Sequence, residues 1–259
     1  MDFSGKKIVV TGASSGIGEE TAKLIMAQGG EVIAVDRNKP NIEVSQFFQV
    51  DLLDKAAIDT LVAKLPDDIA GLANIAGLPP TMNVKDVVTV NLVALKYLTN
   101  LLVPKLKNGS AIVNLASLAG LGWEDQVKTI RACEGLDFDG VFSFCEENNI
   151  TAENSYFFTK QALIAWTMQN RWTWRDRNIR INAVSPGPVE TPILSDFLET
   201  LGERAEEDMR VMDRAGRPSD IAPVVAFLLS EASTWIRGAN IPADGGMYAH
   251  AVSNMRGLE

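Results

Sequence analysis

The feature that most limits what this chain can fold into is the alternation of two hydrophobic periods along it. Residues 6–11 (KKIVVT), 31–36 (EVIAVD), 46–51 (QFFQVD), 70–75 (AGLANI), 111–116 (AIVNLA) and 180–184 (RINAV) are short apolar runs, several of them rich in β-branched residues. Runs of that length read as buried strands. Between them lie stretches with apolar residues at helical spacing: 16–28, 54–64, 84–107, 155–175 and 219–229. In 54–64, for example, Ala57, Ile58, Leu61 and Val62 fall on one face. A last short strand is expected at 239–242. Strands that alternate with helices pair in parallel through right-handed crossovers, which places helices on both faces of the sheet. The predicted class is therefore α/β, a doubly wound parallel sheet. No linker or repeat interrupts the pattern, so residues 1–259 are read as a single domain, and 46% hydrophobic residues suffice for one large core.

Charge and composition narrow the possible functions. Asp and Glu number 33 against 24 Lys and Arg, a net charge of −9, whereas nucleic acids and anionic membranes call for basic clusters. Neither is expected as a partner. His250 is the single histidine, so a Ser-His-Asp triad or a multi-histidine metal site would have to rest on that one tail residue, and no metal is expected. Two cysteines, Cys133 and Cys145, cannot make a disulfide framework. Together with a polar start and no apolar run read as spanning a membrane, they point to a reducing, cytoplasmic setting.

The first chemistry sits where the first strand meets the first helix. Gly12, Gly16 and Gly18 are spaced Gly-x3-Gly-x-Gly, with Ser14, Ser15 and Ile17 between them. Glycine there lets the backbone turn tightly and approach a pyrophosphate, which the helix N-terminus attracts. No Gly-Lys-Ser/Thr follows, so this is not a Walker loop. Asp36 ends the second strand, where a carboxylate can accept both ribose hydroxyls of an adenosine and repel a 2′-phosphate. That favours NAD over NADP. Arg37 beside it is the opposing signal, since it could pair with such a phosphate.

Beyond these motifs, the chain resembles the short-chain dehydrogenase/reductase family over nearly its whole length. Thr11 to Gly18 is similar to the family's cofactor loop, and Asp51-Leu52 to the adenine-contacting end of its third strand. Asn74-Ile75-Ala76-Gly77 is similar to its Asn-Asn-Ala-Gly signature, with Ile75 replacing the second Asn. Asn91 matches the family's helix asparagine, Ser117 its strand-end serine, and Tyr156 with Lys160 its Tyr-x-x-x-Lys pair. Pro186-Gly187, with Val189 and Thr191 after it, resembles the loop on the nicotinamide side. The resemblance implies a Rossmann-type fold, an NAD cofactor, and a small alcohol, ketone or aldehyde substrate. It also implies a homodimer or homotetramer, because the long helices at 84–107 and 155–175 form subunit contacts in many relatives.

The implied chemistry is physically sensible. Tyr156 and Lys160 are i and i+4 on one helix and face the same way. A free tyrosine, with a pKa near ~10, is a poor base at neutral pH. The Lys160 ammonium is expected to lower that value and to bond the nicotinamide ribose. Tyr156 would then take the alcohol proton while hydride leaves, and Ser117 would bond the same oxygen. Asn91, by the resemblance, would hold a water relaying the proton from Lys160. In most relatives the serine lies closer to the tyrosine, as Ser143 does here. Strand context nevertheless favours Ser117, and the difference is then an insertion.

That insertion spans residues 122–152. Val127 with Ile130, and Phe138, Val141, Phe142 and Cys145, suggest one or two short helices with apolar stripes. The insert either docks on the body or walls the substrate cleft, and the second reading, with Phe142 in the wall, is the expectation taken forward. A comparable insert and the strings around Val35-Asp36-Arg37-Asn38 and Pro186–Ile193 resemble the branch containing coniferyl-alcohol and 3α-hydroxysteroid dehydrogenases. Residues 192–216 are expected to form a substrate lid, with Leu194, Phe197, Leu198 and Leu201 on one face. The leading functional reading is an NAD-dependent dehydrogenase for a hydrophobic, aromatic or cyclic alcohol. The alternatives are an NADPH-preferring carbonyl reductase and a non-catalytic dinucleotide sensor.

Overall fold

In the computed structural model, residues 1–196 and 210–258 are described. Seven parallel strands form one sheet in the order β3-β2-β1-β4-β5-β6-β7. They are β1 (Lys7–Thr11), β2 (Glu31–Asp36), β3 (Gln46–Gln49), β4 (Ile69–Asn74), β5 (Leu106–Leu115), β6 (Arg180–Pro186) and β7 (Asn240–Ala243). The order reverses between β1 and β4, so the crossovers after β1 and β4 leave in opposite directions and open a crevice at the carboxyl edge.

The apolar runs are buried because both sheet faces are covered. On one face, α1 (Gly16–Ala27) and α8 (Pro218–Leu229) pack against Ile8, Val10, Val32 and Ala34. On the other, α2 (Lys55–Lys64) and the helical stretch after β4 pack against Val9, Ile33, Val35 and Leu72. Alternate residues of one strand thus serve opposite cores. Local signals set the helix ends. The Asp54 carboxylate accepts from the amides of Ala56 (2.9 Å) and Ala57 (3.1 Å), and that of Asp220 accepts from Arg217 N (2.7 Å).

The expected helix at 84–107 is a compound element. It comprises α3 (Val84–Val88), a π-helical turn Thr89–Ala94, α4 (Leu95–Leu102) and a closing 3₁₀ turn Val103–Lys105 that contains Pro104. It gives way to β5 at Leu106, earlier than expected. The stretch Val84–Lys105 is long enough to cross a membrane, and its most apolar 18-residue window has a mean hydropathy of 1.5, contrary to the expectation that no run is; 67% of that window is buried inside the fold. The helix expected at 155–175 is α7 (Ser155–Gln169), which ends where Asn170 Nδ2 donates to the Trp166 carbonyl (2.8 Å). A C-terminal helix, α9 (Met247–Arg256), has no counterpart in the sequence reading. Its start is held by the Asp244 carboxylate, which accepts from Tyr248 N (2.7 Å) and Gly246 N (3.0 Å).

The insert contains α5 (Val127–Ala132) and α6 (Val141–Glu147). Its buried stripe differs from the expected one. Val141, Phe144 and Cys145 face inward, while Phe142 is 64% exposed. The inward residues join Ile130 and Cys133 against Leu92 and Val93 of the π-helical turn and Phe158 and Ala162 of α7. The insert therefore docks on the helices at 84–102 and 155–169, and among the described residues Phe142 does not line the cleft at the sheet's carboxyl edge. Both cysteines are buried and unbridged. Of the expected lid, residues 197–209, including Phe197, Leu198 and Leu201, lie outside the described residues.

Candidate active site

A cleft of about 500 Å³ opens at the carboxyl ends of β1, β2, β4 and β5. Its inner rim is the turn between β1 and α1. Gly12 has φ +70°, and a Cβ there would stand 2.8 Å from the backbone of Ala76; a Cβ on Gly18 would stand 2.0 Å from the Gly12 carbonyl oxygen. The turn closes only with glycine at both positions. Ser15 is the N-cap of α1 and its side chain makes no capping bond, so the first-turn amides beside the cleft are not satisfied by it. Gly12, Ser14, Ser15, Gly16, Ile17 and Gly18 all line the cleft.

Asp36 stands at the far rim, its carboxylate accepting from Ser14 N (3.0 Å) and Asn38 N (2.9 Å). The acid is thereby fixed to the glycine turn and keeps lone pairs for a further donor. Arg37 is exposed beside it, and Asp51 and Leu52 continue the lining at the end of β3. Ala76, Gly77 and Thr191 line the cleft as well. Six expected contacts are not among its lining residues: Tyr156 and Lys160, described below, and Asn74, Pro186, Gly187 and Val189. Asn74 points into the core, where its Nδ2 donates to Thr99 Oγ1 and Asn114 Oδ1, both at 2.9 Å. Asn114 in turn donates to Thr167 on α7 (2.9 Å), so the residue ties the sheet to its helices. Pro186 is buried at the end of β6, and Gly187 lies against Asp244. Val189 is engaged in a β-bridge with Gly216.

The reacting end is built from β5, the π-helical turn and α7. Ser117, just after β5, caps a 3₁₀ turn by accepting from Ala119 N (3.2 Å) and bonds the Tyr156 hydroxyl. Ser143 is exposed on α6, where its hydroxyl donates to the Gly140 carbonyl (3.1 Å). Lys160 is buried with its Nζ donating to the Leu115 carbonyl (2.8 Å) and lying 5.5 Å from the Tyr156 ring centroid. Asn91, on the π-helical turn, is bonded to the backbone of Leu78 in both directions: its Oδ1 accepts from Leu78 N (2.7 Å) and its Nδ2 donates to Leu78 O (3.0 Å). That fixes the segment after β4 beside Lys160. π-helical turns recur at functional sites, and this one re-aims Asn91.

Burial sets the electrostatics. It pushes the Tyr156 phenol up to about 12, against a smaller opposing effect of the Ser117 hydrogen bond. It also pulls Lys160 down to about 8. Burial is thus the dominant influence on the Tyr156 phenol, and the hydrogen bond of the Lys160 ammonium goes to the Leu115 carbonyl. Thr11 escaped the sequence reading as a site residue. Its Oγ1 accepts from Ile75 N (3.0 Å) and Ala76 N (3.1 Å) and so holds the second wall of the cleft. A hydroxyl ending β1 beside the glycine turn was the available signal.

A parallel sheet with its crevice at the β1/β4 reversal, a glycine turn and a buried Ser-Tyr-Lys set define a dinucleotide-dependent oxidoreductase class, and the chain belongs to the short-chain dehydrogenase/reductase family. The family described as short chain dehydrogenase matches residues 6–127, and one described as enoyl-(acyl carrier protein) reductase matches 141–248. The chain is 40% identical over 250 residues to the coniferyl-alcohol dehydrogenase of Pseudomonas sp. (strain HR199 / DSM 7063), covering 95% of this chain and 98% of that one. It is 30% identical to the 3-alpha-hydroxysteroid dehydrogenase/carbonyl reductase of Comamonas testosteroni, covering 93% and 96%. In three dimensions it is similar to the crystal structure of the 3-alpha-hydroxysteroid dehydrogenase from Pseudomonas sp. B-0831 complexed with NADH. There the TM-score is 0.82 at 27% identity, over 98% of this chain and all of that one.

Proposed function

We propose that this protein oxidises a hydrophobic, aromatic or cyclic alcohol to the carbonyl compound, with NAD as hydride acceptor, and runs the reverse reduction. The observation that carries the reading is the convergence of Ser117, Tyr156 and Lys160 at the end of the dinucleotide-shaped cleft. When bound, the nicotinamide supplies the hydride chemistry. The glycine turn and the uncapped amides of α1 suit its pyrophosphate, and Asp36 suits the adenosine ribose. A 2′-phosphate beside that carboxylate would be repelled, which supports NAD over NADP; the NADH complex of the hydroxysteroid dehydrogenase relative is in keeping with this.

The protein groups then divide the work. Tyr156 takes the alcohol proton through its phenolic oxygen, and Ser117 donates to the same substrate oxygen as charge develops there. Lys160, beside the phenol, stabilises the deprotonated tyrosine and bonds the ribose on the nicotinamide side. Asn91 holds the wall beside Lys160 and serves the proton's exit through water. Leu78, Val90, Leu115 and Ile193 give the cleft an apolar lining, which suits an uncharged hydrophobic substrate. A spectrophotometric assay of nicotinamide reduction across an alcohol panel, with NAD and NADP in parallel, tests the reading. Turnover with aryl or cyclic alcohols and NAD supports it; turnover confined to NADP would shift the weight to Arg37.

A further inference from the structure

Ser117 sits on a short turn between β5 and the insert. The chain leaves β5 at Leu115, passes through the 3₁₀ turn Leu118–Gly120 and enters the insert at Gly122, whose φ is +78°. Backbone hydrogen bonds within the turn are local: Gly120 N donates to the Ser117 carbonyl and Leu121 N to that of Leu118, both at 2.9 Å. Packing brings the turn onto α7. A Cβ on Gly120 would collide with the Ile164 side chain and stand 3.1 Å from the Lys160 carbonyl oxygen, and Trp123 packs against the cluster that holds Leu163 and Ile164. Such contacts fix proximity but not direction, because apolar burial is non-directional.

One polar tie supplies the direction. Gln161 Nε2 donates to the Leu121 carbonyl (3.2 Å). Among the described residues, and apart from the Ser117 bond to the Tyr156 hydroxyl, it is the one hydrogen bond that joins residues 117–126 to another element. Gln161 directly follows Lys160 on α7. The helix that presents the phenol therefore also holds the turn that presents the serine.

The placement of Ser117 depends on that turn. Its Oγ accepts from Ala119 N (3.2 Å), so the hydroxyl moves with the backbone of the turn. Catalytic groups must be held within about 0.5 Å of productive geometry, and a misplacement of about 1 Å can cost ~100-fold in rate. We infer that Gln161 is a positioning residue for the reaction: through the Leu121 carbonyl it fixes the turn so that the Ser117 hydroxyl meets the substrate oxygen beside Tyr156. The inference rests on the reading of Ser117 as a donor to the developing charge. Gln161 is not among the residues that line the dinucleotide cleft, so losing its donor should leave cofactor affinity in place.

A double-mutant cycle on the full chain tests this, with kcat, KM and NADH affinity measured for wild type, Gln161→Met, Ser117→Ala and the double variant on an alcohol that wild type turns over. Methionine keeps the length of the side chain and removes its donor. Gln161→Met should lose about tenfold in kcat, with KM and NADH affinity within about twofold of wild type, because the misplaced hydroxyl matters in the transition state. Once Ser117 is replaced by alanine there is no hydroxyl to place, and adding Gln161→Met should cost less than about twofold more. An unchanged kcat in Gln161→Met, a loss confined to KM or NADH affinity, or the same loss of kcat in both backgrounds would each overturn the inference. Absent turnover by wild type, or a silent Ser117→Ala, would instead break the reading of Ser117, and this inference with it. If Gln161→Met fails to fold, Gln161→Glu takes its place. A carboxylate of the same shape has no donor for the Leu121 carbonyl and should reproduce both the loss and its dependence on Ser117.

Discussion

Burial moves Tyr156 and Lys160 in opposite directions, and that has a consequence for pH. The neutral form of each is favoured, with the phenol at about 12 and the ammonium at about 8. The pair therefore sheds its first proton near 8, and the species with the proton on lysine and the charge on tyrosine is the minor arrangement of that singly deprotonated pair. Alcohol oxidation needs one proton gone, so its kcat/KM should rise with pH through a limb at or below about 8, because a bound nicotinamide cation pulls the value further down. Carbonyl reduction needs both protons and should fall across the same limb. Lys160→Met should abolish it, and a wild-type limb near the tyrosine's own value would contradict the pairing. Ser117→Ala should lose on the order of 2.7–4 kcal/mol of transition-state stabilisation, if it acts as a single donor to the developing charge. Ser143→Ala, altering an exposed hydroxyl on α6, should be silent in the same kinetic comparison.

At the scale of elements, the insert shows what a pattern in sequence does and does not say. Helical spacing located α6, but the buried stripe contains Phe144 where the apolar count favoured Phe142, because Phe138 packs edge-on against Tyr97 from outside the helix. Phe144→Ala should cost ~3–5 kcal/mol in a denaturant titration, whereas Phe142→Ala should change stability little and leave substrate ranking alone. The strands were legible because those buried on both faces are apolar at nearly every position. The π-helical turn was not, since all of Thr89–Ala94 is buried and leaves no exposed face to mark the change of step. Asn74 misled for a related reason. Its place in a signature said that it matters, but only the sheet register could show it bonding Asn114 and Thr99 in the core. The glycine turn, Asp36, Ser117 and Tyr156 could be read directly, as each sits where a strand or helix end delivers it, and Lys160 follows one helical turn after Tyr156.

The whole molecule joins two halves at the β1/β4 reversal: β1 to β3 carry the glycine turn and Asp36, the proposed adenosine side, and β4 to β6 lie beside Ser117, Tyr156 and Lys160, the proposed reacting side. Cofactor choice belongs to this scale, because Asp36 reaches across from the end of β2 to the glycine turn after β1. On the proposed role of Asp36, the Asp36→Ala change should remove ribose bonds and relieve repulsion of a 2′-phosphate, so the ratio of catalytic efficiencies should move toward NADP. Wild-type enzyme already preferring NADP would refute that argument. The central claim is that Tyr156 moves the proton while NAD takes the hydride from an apolar alcohol. Its most direct test is the rate of nicotinamide reduction with NAD on benzylic, allylic and cyclic alcohols, for wild type and Tyr156→Phe side by side, with NADH affinity measured on both. The expected result is turnover by wild type, a loss on the order of 10²–10⁴-fold or more in the variant, and NADH affinity nearly unchanged. A variant that keeps most of its turnover would contradict the account.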